Sequence, residues 1–266
     1  MDIGLAHEIE AAERQYLCAR VENLLRIEGN PYGARVFSNG NAPCFYVEAT
    51  PSPMFNRIYG DSPGEPQAVL SLLKASAAYS TVTPLIGKAS AMEPYVQLAG
   101  SRLEKLKGWA HMQLACAIDN RVANRHPFDI AEVTPQTLAE FAEVHAGGFR
   151  TQPELRALAQ ASFAGQGPNE RMKIYVLKAD GQVVAGALMY LADHGVAYLG
   201  TAATRKTARG AGYHGALISH RMEQARAHGC RVIAATALAN SQSRRNLQRA
   251  GLMPSHAQAL YRLADT

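Results

Sequence analysis

The chain is 266 residues long, 47 % hydrophobic and 18 % charged, with 22 Gly, 13 Pro and no low-complexity run, which excludes bulk disorder and leaves room for one large or two modest domains. Its formal charge of +5 is concentrated: nine Lys or Arg and a single acid, Glu223, lie between Arg205 and Arg249, while the remainder holds 18 basic and 21 acidic residues. Positive charge so confined points to an anionic small ligand and away from a nucleic acid, which calls for a longer basic stripe with exposed aromatic residues.

Leu5, Ile9, Ala12, Tyr16, Ala19, Leu24 and Ile27 recur at helical spacings and predict a helix over residues 4–28, stopped by Gly29-Asn30-Pro31. Two strands, 34–37 and 44–49, follow around the turn-rich Ser38-Asn39-Gly40-Asn41. Next come a helix over 65–79, a strand over 82–87, a helix over 95–107 and a strand over 110–118. The segment from Asp119 to Pro127 is polar and unpatterned. It predicts an N-terminal α/β domain over 1–119, a linker over 120–127 and a second domain over 128–266.

In the second half the pattern predicts a strand over 128–133, a helix over 137–147 after Thr134-Pro135, and a helix over 153–164 with Pro153 in its first turn. Asp180-Gly181 between the runs 172–179 and 183–191 is a β-hairpin signal. A strand over 197–204 precedes a helix over 213–228, with Gly229 placed as a left-handed cap. A strand over 231–238, a helix over 241–250 closed by Gly251 and a strand over 257–263 complete an α/β chain with a mixed sheet.

The longest unbroken apolar stretch, Val183 to Ala192, is ten residues, about half of a membrane span. Asp2, Glu8, Glu10 and Glu13 occupy the region where an export signal needs a basic start and an apolar run. A cytoplasmic location with no membrane partner is therefore expected. Cys18, Cys44, Cys116 and Cys230 are dispersed, with no Cys-x-x-Cys and no Cys/His spacing of a metal site, so ordinary thiols and no metal are expected.

The chemistry concentrates after strand 197–204, in the loop Arg205 to Arg209 and the run Gly210-Ala211-Gly212-Tyr213-His214-Gly215. Glycines let a backbone approach a ligand closely, while the first turn of the following helix offers unpaired N–H groups and the positive end of its dipole. Together these features suit phosphate, and Arg209 can add a bidentate contact to a pyrophosphate. Gly210-x-Gly212-x-x-Gly215 also matches a dinucleotide fingerprint, but a five-residue basic loop separates it from the strand. No acid stands at Ala237, Leu238 or Ala239 for a ribose, and only 27 residues remain after Ala239.

The order of strand, basic loop, Arg-Gly-x-Gly, helix, strand, then Asn240 with Gly251 eleven residues later resembles the GNAT superfamily of acyl-CoA-dependent N-acyltransferases. Residues 128–266 cover that fold nearly end to end. In the family signature Q/R-x-x-G-x-G/A, Arg209 and Gly212 take the first and fourth places, while the sixth holds His214, with Gly215 one later. Tyr213 to Ile218 and Ser243 to Gly251 are similar to bacterial members. Asn56-Arg57-Ile58-Tyr59-Gly60 and Leu103 to Ala110 resemble the N-terminal domain of those members, often a degenerate copy of the same fold.

The resemblance implies acetyl-CoA as acyl donor and an amine as acceptor. Its pyrophosphate would lie on the amides of Arg209, Gly210, Ala211, Gly212, Tyr213, His214 and Gly215, and its pantetheine on the backbone of Ala202, Ala203 and Thr204. Asn240 keeps the family's place before the last helix, and strands 197–204 and 231–238 would splay apart to free N–H groups for the oxyanion. Seven residues after Asn240, where many members place a Tyr that protonates the departing thiolate, stands Leu247. A thiol of pKa near 8.5 is already a tolerable leaving group, so losing that acid costs about 10²–10⁴ at most. Ser243, Tyr261 and Thr236 are the nearby candidate acids, and Glu143, His145 and His194 the candidate bases. The alternative expectation is a CoA-binding sensor that has lost its chemistry.

Overall fold

The computed structural model describes residues 3–39, 42–59, 66–76, 85–88, 103–107, 111–118, 127–164 and 170–264. They fall into two compact units, Met1–Tyr16 with Gln113–Ser255, and Leu17–Met112 with His256–Thr266. Each unit is thus discontinuous in sequence. The boundaries fall inside helix α1 (Ile3–Leu25), strand β6 (His111–Ala117) and strand β12 (Met253–Leu263). Residues 119–126, most of the expected linker, lie outside the described residues.

The unit holding Leu17–Met112 contains β1 (Ala34–Asn39), β2 (Ala42–Val47), β3 (Arg57–Tyr59), α2 (Pro66–Ser76), β4 (Leu85–Lys88) and β5 (Leu103–Lys105). Its strands run in the order β1-β2-β3-β4-β12, with β5 also paired to β12. The β3–β4 pair is parallel, and the others are antiparallel. Val69, Leu72 and Leu73 share one face of α2 and pack with Cys44, Tyr46, Ile58 and Leu103. Strand β3 is too short for an alternating pattern to register in the sequence. It is fixed by the fully buried Asn56, which accepts from the Val47 amide at 3.1 Å and donates to the Thr50 carbonyl at 2.7 Å.

One expectation is corrected here. Of the helix expected over 95–107, only 103–107 is described, and Leu103–Lys105 is a strand, with Leu103 opposite Leu263 and Lys105 opposite Tyr261. Leu103 and Leu106 stand at a helix-like spacing, but the partner that makes 103–105 a strand comes from the far end of the chain.

The other unit contains the start of α1, most of β6, then β7 (Asp129–Glu132), α3 (Pro135–Phe149), a 3₁₀ turn (Pro153–Leu155), α4 (Arg156–Ala164), β8 (Met172–Ala179) and β9 (Gln182–Ala192). It continues with β10 (Val196–Thr204), α5 (Tyr213–Ala227), β11 (Val232–Leu238) and α6 (Gln242–Arg249). The sheet order is β6-β11-β10-β9-β8-β7. The run from β7 to β10 is antiparallel, and β10–β11 is parallel. The β8–β9 hairpin turns on Asp180 (φ 50°) and Gly181 (φ 74°), the left-handed pair that Asp-Gly favours.

Helix α3 starts two residues before its apolar pattern because Thr134 caps it. The Thr134 hydroxyl accepts from the Thr137 amide at 3.3 Å, and the Thr137 hydroxyl accepts from the Thr134 amide at 2.9 Å. On α1, Glu10 and Glu13 are buried although their residue type favours solvent. The Tyr198 hydroxyl donates to the Glu13 carboxylate at 3.0 Å and lies 3.2 Å from Gln113 Oε1. Arg221 on α5 is also buried, donating to the carbonyls of Leu188 at 2.8 Å and Leu217 at 3.0 Å. Burial pulls its pKa down to about 10. Among the described residues no helix is long and apolar enough to cross a membrane.

Candidate active site

Strand β10 is nine residues long but pairs with β11 over only its first three: Val196 with Val232, Ala197 with Ile233, and Tyr198 with Ala234. Beyond Tyr198 and Ala234 the two strands part. On its other edge β10 stays paired with β9 through Thr204 opposite Ala185, with one extra residue inserted between Leu199 and Ala202. Gly200 and Thr201 therefore form a β-bulge where the fork opens. Below that apex, Ala202, Ala203 and Thr204 are tied to β9 on one side and open on the other. Backbone groups of β10 that turn toward the open side have no strand to bond, so the fork can hold an extended ligand by its own hydrogen bonds.

The fork leads to the basic loop. Arg205 is secured by a bond from its amide to the Val184 carbonyl at 2.8 Å, another from its Nε to the Val183 carbonyl at 2.8 Å, and an ion pair with Glu143 at 3.6 Å. A 3₁₀ turn, Lys206–Ala208, then brings the chain to the exposed Arg209. Gly210 (φ 90°) and Gly212 (φ 87°) are both left-handed, and a β-carbon on either would meet nothing within 4 Å. Packing does not require these glycines. Their backbone conformation does, and it lays the loop open to solvent.

Gly212 is the N-cap of α5 and has no side chain to bond the first-turn amides. The first bond of the helix runs from the Ala216 amide to the Gly212 carbonyl at 3.1 Å, so the amides of Tyr213, His214 and Gly215 precede the ladder. This is an anion cradle of N–H groups at the positive end of a fifteen-residue helix. Two of its side chains face inward instead. Tyr213 packs edge-on to Phe128 at 5.1 Å. His214 Nδ1 lies 2.8 Å from Asn246 Nδ2 on α6, and Asn246 Oδ1 accepts from Gln242 and Arg249. The Asn246 amide must then donate to His214, which is the neutral tautomer. Burial, with the nearby Arg221 charge, lowers the His214 pKa to about 4. The sixth signature place thus serves the α5–α6 contact through its side chain and the cradle through its amide.

Asn240 is exposed in the turn between β11 and α6. Ser241 caps α6, its hydroxyl accepting from the Arg244 amide at 3.1 Å, and Ser243 sits half-buried in the first turn. Leu247 is 3 % exposed. Tyr261 lies on β12 against the apolar cluster of the other unit, opposite Leu85 and Lys105, where burial raises its pKa. Thr236 is on β11 past the end of its pairing with β10, and its hydroxyl is buried without a partner among the described residues.

The three candidate bases separate clearly. His194 lies in the turn before β10, at the opposite end of that strand from the fork. Glu143 is exposed and paired to Arg205. His145 is 8 % exposed, and its Nε2 is 2.9 Å from the Thr201 hydroxyl at the bulge. The bulge itself has no counterpart in the sequence reading, because the alanine-rich β10 carries no alternation from which an inserted residue stands out.

Residues 138–252 match the acetyltransferase (GNAT) family. No curated protein matches the sequence. Among solved structures, a GCN5-related N-acetyltransferase from Kribbella flavida is similar over 96 % of this chain and 96 % of its own, at 18 % identity and a TM-score of 0.63. An acetyltransferase from the GNAT family of Colwellia psychrerythraea is similar over 87 % of this chain and 86 % of its own, at 12 % identity and a TM-score of 0.54. A tandem GNAT protein from the clavulanic acid biosynthesis pathway is similar over 94 % of this chain and 95 % of its own, at 12 % identity and a TM-score of 0.58. At these identities the structural likeness speaks to the fold, and the family match runs from α3 to the end of α6. Residues 138–252, which carry the fork and the cradle, therefore match the acetyltransferase (GNAT) family, and the solved structures share the fold.

Proposed function

We propose that the chain transfers acetyl from acetyl-CoA to a primary amine of a small acceptor, by direct attack on the thioester. The observation that carries this reading is the continuity of fork and cradle: β10 loses β11 after Tyr198 and, within a dozen residues, reaches the amides from Arg209 to Gly215. An extended pantetheine arm would bond the open edge of Ala202 to Thr204 while its pyrophosphate rests on the glycine turn, beside Arg209, whose Nε donates to the Thr204 carbonyl at 3.5 Å. Open amides at the fork would stabilise the oxyanion, and fixing the two reactants in line would supply most of the rate. The basic excess between Arg205 and Arg249 supports an anionic donor, and we place the protein in the cytoplasm, where acetyl-CoA is available.

Calorimetry with acetyl-CoA, followed by thiol release with a panel of primary amines, tests the proposal. Tight binding and amine-dependent release are expected. Leu247 favours a second reading, because a residue 3 % exposed leaves no room for a phenol at its position without repacking. A CoA sensor would bind acetyl-CoA and release no thiol with any amine.

A further inference from the structure

We infer that Thr201 and His145 form a proton relay at the apex of the fork, serving the amine that attacks the thioester. The inference rests on the acyl-transfer reading above. Pairing between β10 and β11 ends at Tyr198, and the bulge places Thr201 where the strands diverge, the point nearest any thioester lodged between them. Thr201 is half-buried and so open to a ligand, whereas His145 behind it is 8 % exposed. The 2.9 Å bond between His145 Nε2 and Thr201 Oγ1 connects an interior imidazole to the surface of the fork.

Residues of α3, α4 and β10 pack around the imidazole. Phe149 stacks on it at 4.6 Å and Phe141 lies 6.1 Å away, both on α3; Phe163 on α4 meets it edge-on at 4.9 Å; Thr201 faces it from β10. The charges closest in sequence to the pair, Glu143 and Arg205, are bound to each other. A buried imidazole needs partners for its ring nitrogens, and the one at His145 Nε2 is a hydroxyl that itself reaches the fork. Their pairing across 56 residues is a built arrangement.

The relay balances without any outside reagent. As the amine nitrogen forms its bond to the acetyl carbon, one N–H proton passes to Thr201 Oγ1 while the Thr201 hydroxyl proton passes to His145 Nε2. The C–S bond then breaks, sulfur leaves with the electron pair, and the imidazolium returns its proton by the same path to the thiolate. The products are the amide, the free thiol and neutral His145. No second acid is needed, consistent with the aliphatic side chain at Leu247.

The test compares the full chain with H145Q, T201V and T201S, using acetyl-CoA and hydroxylamine as a nucleophile small enough for any acceptor site. In H145Q and T201V, kcat is expected to fall about 10²–10⁴-fold, as general-base loss does, with acetyl-CoA affinity unchanged within twofold. T201S should restore most of the rate, and the acidic limb of the pH–rate profile should vanish in H145Q. Nitrogen-15 spectra of the histidine rings add a readout independent of turnover: acetyl-CoA should shift the His145 signals and leave those of His194 in place. A wild-type rate and pH profile in H145Q, or His145 signals unmoved by acetyl-CoA, would overturn the relay. Failure of the unaltered chain to bind acetyl-CoA would instead overturn the acyl-transfer reading.

Discussion

Gly148 and Ala203 meet where α3 lies on β10: a β-carbon on Gly148 would stand 2.7 Å from the Ala203 β-carbon. That approach lets the last turn of α3 lie flat on the strand and carries His145, three residues earlier, to Thr201. Gly148→Ala should force the helix away and cost about 1–3 kcal/mol, as overpacking does. Adding Ala203→Gly should recover much of that loss, as a double-mutant cycle in thermal melts would show. Equal instability in the double variant would mean that the contact does not set the spacing.

Gly212 and Gly181 share a left-handed backbone and open surroundings, with φ of 87° and 74°, but only Gly212 lies in the cradle. Gly181→Ala and Gly212→Ala should therefore cost similar stability, about 1 kcal/mol. Gly212→Glu should in addition lower acetyl-CoA affinity at least tenfold, because it brings a side chain and a negative charge to the helix N-terminus. Calorimetry on all three variants separates strain from binding, and full affinity in Gly212→Glu would remove the cradle from the binding site.

His214 makes stability depend on pH. Its folded pKa of about 4 lies below its ordinary value of 6.5, so between those values the unfolded chain binds the extra proton more readily. Stability is complete above about pH 6.5 and is lost as the pH falls toward 4, with a contribution of about 1–3 kcal/mol. His214→Gln should flatten that part of the curve in denaturant titrations at pH 7, 6, 5 and 4. An unchanged slope would show that other groups govern acid unfolding.

How much of this was legible follows from the range of each signal. Local chemistry reads well: Asp180-Gly181 adopts the turn its composition demands, Thr134-Pro135 starts α3, and the glycine run opens α5. Features decided by a distant partner do not. His145 has the spacing of any helical residue until Thr201 arrives 56 positions later, and Glu13 reads as solvated until Tyr198 reaches it. Tyr261 is close in sequence to α6 yet packs with Cys44 and Tyr46, because β12 ends in the other unit.

Thr236 carries a buried hydroxyl with no partner among the described residues. Such a group costs about 1–3 kcal/mol to bury, so Thr236→Val should raise the melting temperature of the free protein by a few degrees. A lower melting temperature would mean that the hydroxyl has a partner in solution.

Cutting the chain at the polar segment should not yield a folded domain. A fragment of residues 125–266 lacks Ile9, Ala12, Tyr16 and Leu114, all buried, as well as the Glu13 and Gln113 partners of Tyr198. It also lacks Ile118, whose amide donates to the Arg231 carbonyl at 3.0 Å. Such a fragment should bind a hydrophobic dye and melt without a sharp transition. A cooperative melt would show that the N-terminal turns of α1 are dispensable.

The single extra residue of the bulge also limits how this strand can change over evolutionary time. Removing one residue between Leu199 and Ala202 would leave the later pairs with β9 in register and facing as they do, but it would erase the bulge that sets Gly200 and Thr201 side by side opposite Leu188. Were Thr201 to take the place of Gly200, its β-carbon would fall about where one on Gly200 would, 2.8 Å from the Tyr16 ring. Substitutions along β10 can be absorbed one at a time, whereas a change of length removes the bulge and with it the place from which Thr201 meets His145. Descendants of this sequence should therefore vary in the residues of Val196–Thr204 long before they vary in their number.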